Sequence, residues 1–188
     1  YNAPSTFIPY GAELGPVPWQ PLLGLTPNNY FLYVTRFEPE NNPLLVRQAF
    51  EQVDTDLELA LIGDAPYAKD YIAQVRATSD RRIHIPGAIY GDGYKILQSH
   101  CFAYITEVGG THPALIEAMG RGALILYLET PENSEVAGQV GIPFSHSSLP
   151  QAIQHALSLS PAEIAHRRAA SLQRVRERYS WDVVTDQY

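Results

Sequence analysis

The chain has 188 residues, enough for one sizeable hydrophobic core or two small ones. Apolar content is ordinary for a globular protein, which argues against disorder, and no apolar run approaches the ~18 residues that suggest a transmembrane helix. The formal charge of -7 argues against a general nucleic-acid binder, whose partner needs a basic surface, although it leaves room for a local basic pocket.

Residues 1–29 are rich in Pro, Gly and Asn and read as a lead-in segment and loop. YFLYVTR, 30–36, is a short apolar run with aromatic and β-branched residues, predicted as a buried strand ending in Arg36. EPENNP breaks the pattern, and helical spacing returns over 44–53 with Pro43 in the first turn. A strand over 57–63, a DAPY turn and a helix over 68–78 repeat the cycle. A strand over 82–89 is interrupted at Pro86-Gly87, a short helix covers 94–100, and a strand covers 101–106. A helix over 113–122 closes on glycine, followed by a strand over 123–129. GIPFS, 141–145, is a short last strand, and LPQAIQHALSL and AEIAHRRAASLQRVRERY form a helical tail. In the tail, RRAASLQRVRER reads as the polar side of a packed helix.

Strands alternating with helices over short connections predict βαβ units: an α/β, Rossmann-like domain with a mainly parallel sheet and helices on both faces. The expected organisation is a segment over 1–29, a core over 30–160 and a helical tail over 161–188 that packs on the core or crosses from it. The sequence opens without Met and stops within helical sequence, so a domain excised from a longer protein is expected. The single cysteine, Cys101, sits in the apolar run CFAYI and is expected to be a buried thiol. With no charged-then-apolar leader, the expected setting is reducing and cytoplasmic.

Open α/β sheets bind ligands beyond the carboxyl ends of their strands. Arg36, Gly63-Asp64 and the stretch from Glu107 to His112 all fall there. Gly109 and Gly110 allow a tight turn and close backbone approach to a ligand. Thr111 can cap the following helix and Pro113 suits its first turn, leaving free N–H groups for an anion. Glu117, one turn further along a largely apolar helix, can accept hydrogen bonds from sugar hydroxyls, and Arg36 can contact a phosphate.

Taken singly, each residue also has a plainer reading. Gly-Gly before a helix is turn chemistry, Arg36 is a surface or salt-bridge residue, His112 is a cap, and Glu117 is a solvated or paired acid. Together they reach an anion or nucleotide site. GxGxxG after the first strand, GxxxxGK[ST] and GxSxG are all absent, and the six histidines have no metal-site spacing. Asp64 and Glu107 are able to ligate a divalent ion, but nothing requires one.

VGGTHPALIEAMGRGALIL resembles the donor-binding region of retaining glycosyltransferases of family 4, which have the GT-B fold, and resembles most the rhamnosyltransferase-type branch. FIPYGAE is similar to the interdomain segment of that family, and YVTRFEPENN to its first strand and arginine loop. LALIGDA and HIPGAI are similar to the second and third strand ends, and TPENSEV to the Asn-x-Glu loop. The match covers nearly the whole chain and implies the C-terminal, nucleotide-sugar-binding half of such an enzyme.

The resemblance implies that Glu117 holds the ribose hydroxyls and Arg36 contacts the diphosphate. It implies that Gly109, Gly110, Thr111 and His112 meet the diphosphate or donor sugar, and that Pro86, Gly87, Ala88 and Ile89 pack near the base. Two positions depart from the family. Asn41 stands where a lysine is usual, so a donor-binding role there is by hydrogen bond and brings no charge. Gly109 stands where the donor-sugar acid is usual, and Glu107, two residues earlier, either supplies that carboxylate as a catalytic residue with Arg36 or is structural.

The donor implied is a nucleoside diphosphate sugar, with no other cofactor and no metal. The implied partners are an N-terminal acceptor-binding domain upstream and a glycan or lipid-linked acceptor, with membrane contact through that domain. A sugar-nucleotide 2-epimerase half and a non-catalytic nucleotide-sensing or partner-binding module are the alternatives. A response-regulator-like domain would need a cluster of acids on early strand ends, which the sequence does not offer.

Overall fold

Six short strands, nearly solid with apolar residues, form the centre of the computed structural model, which describes residues 8–110 and 113–187. They are β1 (Tyr30–Val34), β2 (Glu58–Ile62), β3 (Ile83–Gly87), β4 (Ala103–Thr106), β5 (Leu124–Leu128) and β6 (Ile142–Phe144). All neighbouring pairs are parallel, in the order β3-β2-β1-β4-β5-β6. The helices are α1 (Pro43–Glu51), α2 (Lys69–Arg76), α3 (Gly91–His100), α4 (Pro113–Gly120), α5 (Pro131–Ala137), α6 (Leu149–Ser158), α7 (Pro161–Arg178) and α8 (Trp181–Thr185). This is the expected Rossmann-like α/β architecture.

Strand parity sends alternate residues to two cores. Phe31, Tyr33, Leu59 and Leu61 pack with Val46, Phe50, Val75 and Ile153 from α1, α2 and α6. Tyr30, Leu32, Ala60 and Ile62 pack with Leu97, Leu115, Met119 and Val175 from α3, α4 and α7. Cys101 is buried on this second side, where desolvation pushes its thiol up to about 12.

Several boundaries differ from the sequence-based expectation, each for a local reason. β1 ends at Val34, so Thr35 and Arg36 leave the sheet as a loop. The Asn-x-Glu segment is a helix, α5: the Thr130 side chain accepts from the Asn133 N–H and Pro131 occupies the first turn. α3 starts at Gly91, three residues earlier than expected. The tail helix α7 opens with a capping box between Ser160 and Glu163, and Ser180 caps a separate α8.

The tail packs on the core through α7, whose arginines bind backbone carbonyls. Arg168 donates to the carbonyls of Cys101 and Phe102, Arg174 to Val136 and Arg167 to Val140. The lead-in segment is tied down as well. Ala12 forms a parallel bridge with Ser180, Gly15 N–H donates to Gly120 O at 2.8 Å, and Arg121 donates to Gly15 O. Among the described residues, no helix is long and apolar enough to cross a membrane.

Candidate functional site

The chain builds β1, β2 and β3 outward in one direction, then crosses back to place β4 on the other side of β1. β1 and β4 are paired through Phe31–Ala103 and Leu32–Tyr104. Above this reversal the loops that follow the two strands part in opposite directions and leave a crevice, the usual ligand position in an open α/β sheet. A cleft of about 230 Å³ lies there. β1 and its loop supply Thr35, Arg36 and Asn41, β4 and its loop supply Tyr104, Thr106 and Val108, and α4 supplies Ala114.

Close packing of the β1 and β2 ends fixes one wall. Gly63 has φ +154°, and a Cβ there would overlap the Thr35 carbonyl, so only glycine lets the two strand ends approach this closely. The Arg36 side chain is 74% exposed and pairs with Glu38 at 3.5 Å, the only ion pair it makes among the described residues. Asn41 is buried. Its Nδ2 donates to the Arg36 carbonyl at 2.9 Å and its own carbonyl accepts from the Tyr33 hydroxyl. The amide is thus spent on closing the arginine loop.

The opposite wall is the run into α4. Gly110 adopts φ +104°, a conformation that favours glycine. A Cβ at Gly109 would come within 3.3 Å of the Thr130 methyl, so the loop leans on the start of α5. Thr111 and His112 lie outside the described residues. Asn133 secures this loop from below, donating to the carbonyls of Val108 at 2.8 Å and Leu128 at 3.0 Å. Sequence reasoning gave Asn133 no role of its own. The signal was Thr130-Pro131 three residues before it, a helix start that turns the asparagine inward.

Glu117 sits three residues after Ala114, on the same face of α4 and one turn below the cleft. It is half-buried, and its Oε2 accepts from the Tyr94 hydroxyl at 2.6 Å. Glu117, Tyr94 and Gln98 line a second cavity of about 300 Å³, bounded by α3, α4, the lead-in segment at Gly11 to Glu13, and Trp181.

Glu107 is not in the cleft. It continues the phase of Ala103 and Ile105, toward the core that holds Tyr33, while Tyr104 and Thr106 face the cleft. Its side chain is fully buried, Oε1 is paired with His146 Nδ1, and Oε2 has no hydrogen-bond partner among the described residues. Burial raises its pKa above the usual carboxylate range. His146 opposes this, and so does the nearby Asn42 amide, which does not close a hydrogen bond to Oε2. The Tyr33 and Tyr71 phenols are raised mainly by their own burial, and the Glu107 charge raises both further. The Glu107 carboxylate thus lies buried beside His146 and outside the lining of the cleft.

The segment Pro86 to Ile89 ends β3, two strands from the cleft in the sheet order. Gly87 has φ +103° and its carbonyl accepts from Gly63 N–H at 3.0 Å, which docks the segment on the β2 end. Ile89 packs against the core on the α3 and α4 side, and Tyr90 beside it is 84% exposed. From here α3 leads back to Tyr94 and Glu117. Pro86, Gly87, Ala88 and Ile89 thus form a separate shelf that α3 connects to the acid.

A larger cavity, about 450 Å³, lies between the lead-in segment, α5 and the tail. Among the described residues that line it, Glu132 and Glu135 stand beside one cation, Arg178, which makes it a poor place for a diphosphate. Among the described residues, no group of three or more His, Cys, Asp and Glu is placed to hold a metal ion.

No protein-family model matches the chain, and no curated protein sequence does. Solved structures do share the fold. HepE from Anabaena in complex with UDP and glucose superposes with a TM-score of 0.77 at 16% identity, over 88% of this chain and 48% of that one. A glycosyltransferase from Rickettsia africae gives 0.76 at 15% identity, over 84% of this chain and 45% of that one. A mutant of TarM from S. aureus, in complex with Fondaparinux, alpha-GlcNAc-glycerol and UDP, gives 0.76 at 11% identity, over 100% and 39%. The chain spans about half the length of the first two.

Proposed function

We propose that this chain is the donor-binding half of a retaining, GT-B-type glycosyltransferase, similar to the rhamnosyltransferase-type branch of family 4, and that its ligand is a nucleoside diphosphate sugar. The observation that supports the reading is the crevice at the β1/β4 reversal, with Arg36 in one wall and Val108 and Ala114 in the other, from which α4 runs one turn down to Glu117 in the adjoining cavity. The shared fold with proteins solved in complex with UDP supports the ligand class.

In this reading the diphosphate lies in the cleft, against Arg36 and the backbone of Gly109, Gly110, Thr111 and His112 at the start of α4. The ribose lies one turn down, on Glu117. The base lies toward the shelf of Pro86 to Ile89. As the sugar–phosphate bond breaks, negative charge grows on the leaving diphosphate, and Arg36 with the N–H groups of the loop stabilises it. The transferred sugar goes to a glycan or lipid-linked acceptor held by a second domain, in a cytoplasmic setting. The half-domain alone lacks that acceptor surface, and we expect it to bind nucleotide and turn over little or nothing.

A second reading, a non-catalytic nucleotide-binding module, is favoured by Asn41. Its amide closes its own loop, so Arg36 is the only formal cation among the described residues lining the cleft. Titration with nucleoside diphosphates and their sugars, comparing wild type with Glu117→Ala, tests the donor site. Binding that is lost or weakened in the variant is the expected result, and absent or unchanged binding opposes it. Transfer assays with the second domain supplied then separate the enzyme from the binding module.

A further inference from the structure

We propose that Tyr94, backed by Gln98, is the positioning residue of the ribose subsite: it orients the Glu117 carboxylate and sets how strongly the protein reads ribose hydroxyls. The inference rests on the reading of Glu117 as the ribose acid.

The hydrogen bonds run in one direction. Gln98 Nε2 is a donor only, and it gives 2.8 Å to Tyr94 Oη and 3.3 Å to the Ala114 carbonyl in the first turn of α4. Because Tyr94 Oη accepts from Gln98, its one proton goes to Glu117 Oε2, at 2.6 Å. Burial pushes the Tyr94 phenol far up, so it remains protonated and a donor at any ordinary pH. Gln98 is 1% exposed, beside Ile96 and Leu97. An amide in such a place costs free energy unless it is bonded, and here its nitrogen is spent on holding Tyr94 and α4 in one register.

The consequence is a fixed carboxylate with one oxygen left over. A glutamate on a helix surface has three rotatable bonds and samples many orientations. Fixing one oxygen from behind selects one of them before any ligand arrives, which lowers the ordering cost of binding. Among the described residues, Glu117 Oε1 has no hydrogen-bond partner. It is an acceptor for hydroxyl donors, with Tyr94, Gln98 and Glu117 together on the wall of the 300 Å³ cavity. A ligand that offers hydroxyls gains from this preorganisation, and one without them does not. Tyr94 and Gln98 stand at i and i+4 on α3, so a single helix face supplies both parts.

The test compares UDP and GDP with their 2′,3′-dideoxy analogues by calorimetry, on wild type, Tyr94→Phe and Gln98→Met. Tyr94→Phe removes only the hydroxyl and keeps the ring in place. The wild type is expected to prefer the ribose form, and Tyr94→Phe to weaken that form about fivefold, the scale of one lost hydrogen bond, leaving the dideoxy form unchanged. Gln98→Met, close in volume, is expected to show a smaller loss of the same kind. If Tyr94→Phe proves unfolded by circular dichroism, Gln98→Met reads the same discrimination. Equal weakening of both ligand forms would mean that Tyr94 only supports the fold. Unchanged binding of both by the variants would overturn the proposal while leaving the donor site intact. Failure of the wild type to bind either diphosphate would remove the donor-site reading itself, and this inference with it.

Discussion

Asn41 Nδ2 holds the carbonyl of Arg36 at 2.9 Å, so an uncharged amide closes the loop that presents the arginine. The cleft gains loop order from this bond, and Arg36 is the one formal cation among the described residues that line it. Asn41→Lys should shift that balance. A lysine contributes a charge-assisted phosphate contact of roughly 1.5–3 kcal/mol, so binding of UDP should tighten about tenfold or more. The lost amide bond should cost about 1 kcal/mol of fold stability. Calorimetry and thermal denaturation on the same samples check both halves, and weaker binding by the variant would place the diphosphate elsewhere.

Arg36 should separate binding from stability. Its side chain is largely exposed, and its one ion pair among the described residues is to Glu38. Arg36→Ala should therefore change unfolding free energy by no more than about 0.5 kcal/mol. It should weaken nucleoside diphosphate binding by roughly tenfold to a hundredfold, and the loss should shrink as salt rises. A stable variant with unchanged affinity would remove Arg36 from the site.

Glu107 should show its burial in the pH dependence of stability. Its native pKa is raised, chiefly by desolvation, so the native state holds the proton more tightly than the unfolded chain, whose glutamates titrate near about 4.3. The sign follows: Glu107 favours the fold most below that value, and the advantage is lost as pH rises through the raised native pKa. Glu107→Gln removes the titration. The melting temperature of the variant relative to wild type should therefore be higher at pH 7 than at pH 4, and a difference that falls over that range would contradict the assignment.

Gly63 should be intolerant of any side chain. Gly63→Ala forces a Cβ into the Thr35 carbonyl at φ +154°, and relief requires the β1 and β2 ends to separate. A destabilisation of at least about 1–3 kcal/mol is expected in chemical denaturation, with weaker UDP binding, because the displaced segment leads directly into Arg36. Full stability in the variant would mean that the strand ends are not packed as described.

Most of the sheet was legible because parallel strands covered on both faces are written as solid apolar runs. YFLYV, ELALI, AYIT and LILYL stand out between Gly, Pro and Asn clusters. Arg36 and the glycine loop were legible as strand-end residues. What the sequence concealed was direction. Glu107 and Thr106 are neighbours in the chain, yet strand parity sends one toward Tyr33 and the other to the cleft. Helix α5 was hidden because Thr-Pro-Glu-Asn looks like loop composition, although it is also a cap followed by a first-turn proline. Tyr94 and Gln98 were hidden for another reason. Their i and i+4 spacing was visible, but Glu117 lies 23 residues beyond Tyr94, and only the packing of α3 beside α4 brings them together.

The central claim is the place of the nucleotide. Backbone amide chemical shifts recorded during a UDP titration test it most directly. The largest changes are expected at Thr35 and Arg36, at Thr106 to Gly110 and along the first turns of α4 to Glu117. Saturating shifts confined to the cavity beside Tyr10 and Arg178, or none at all, would contradict it.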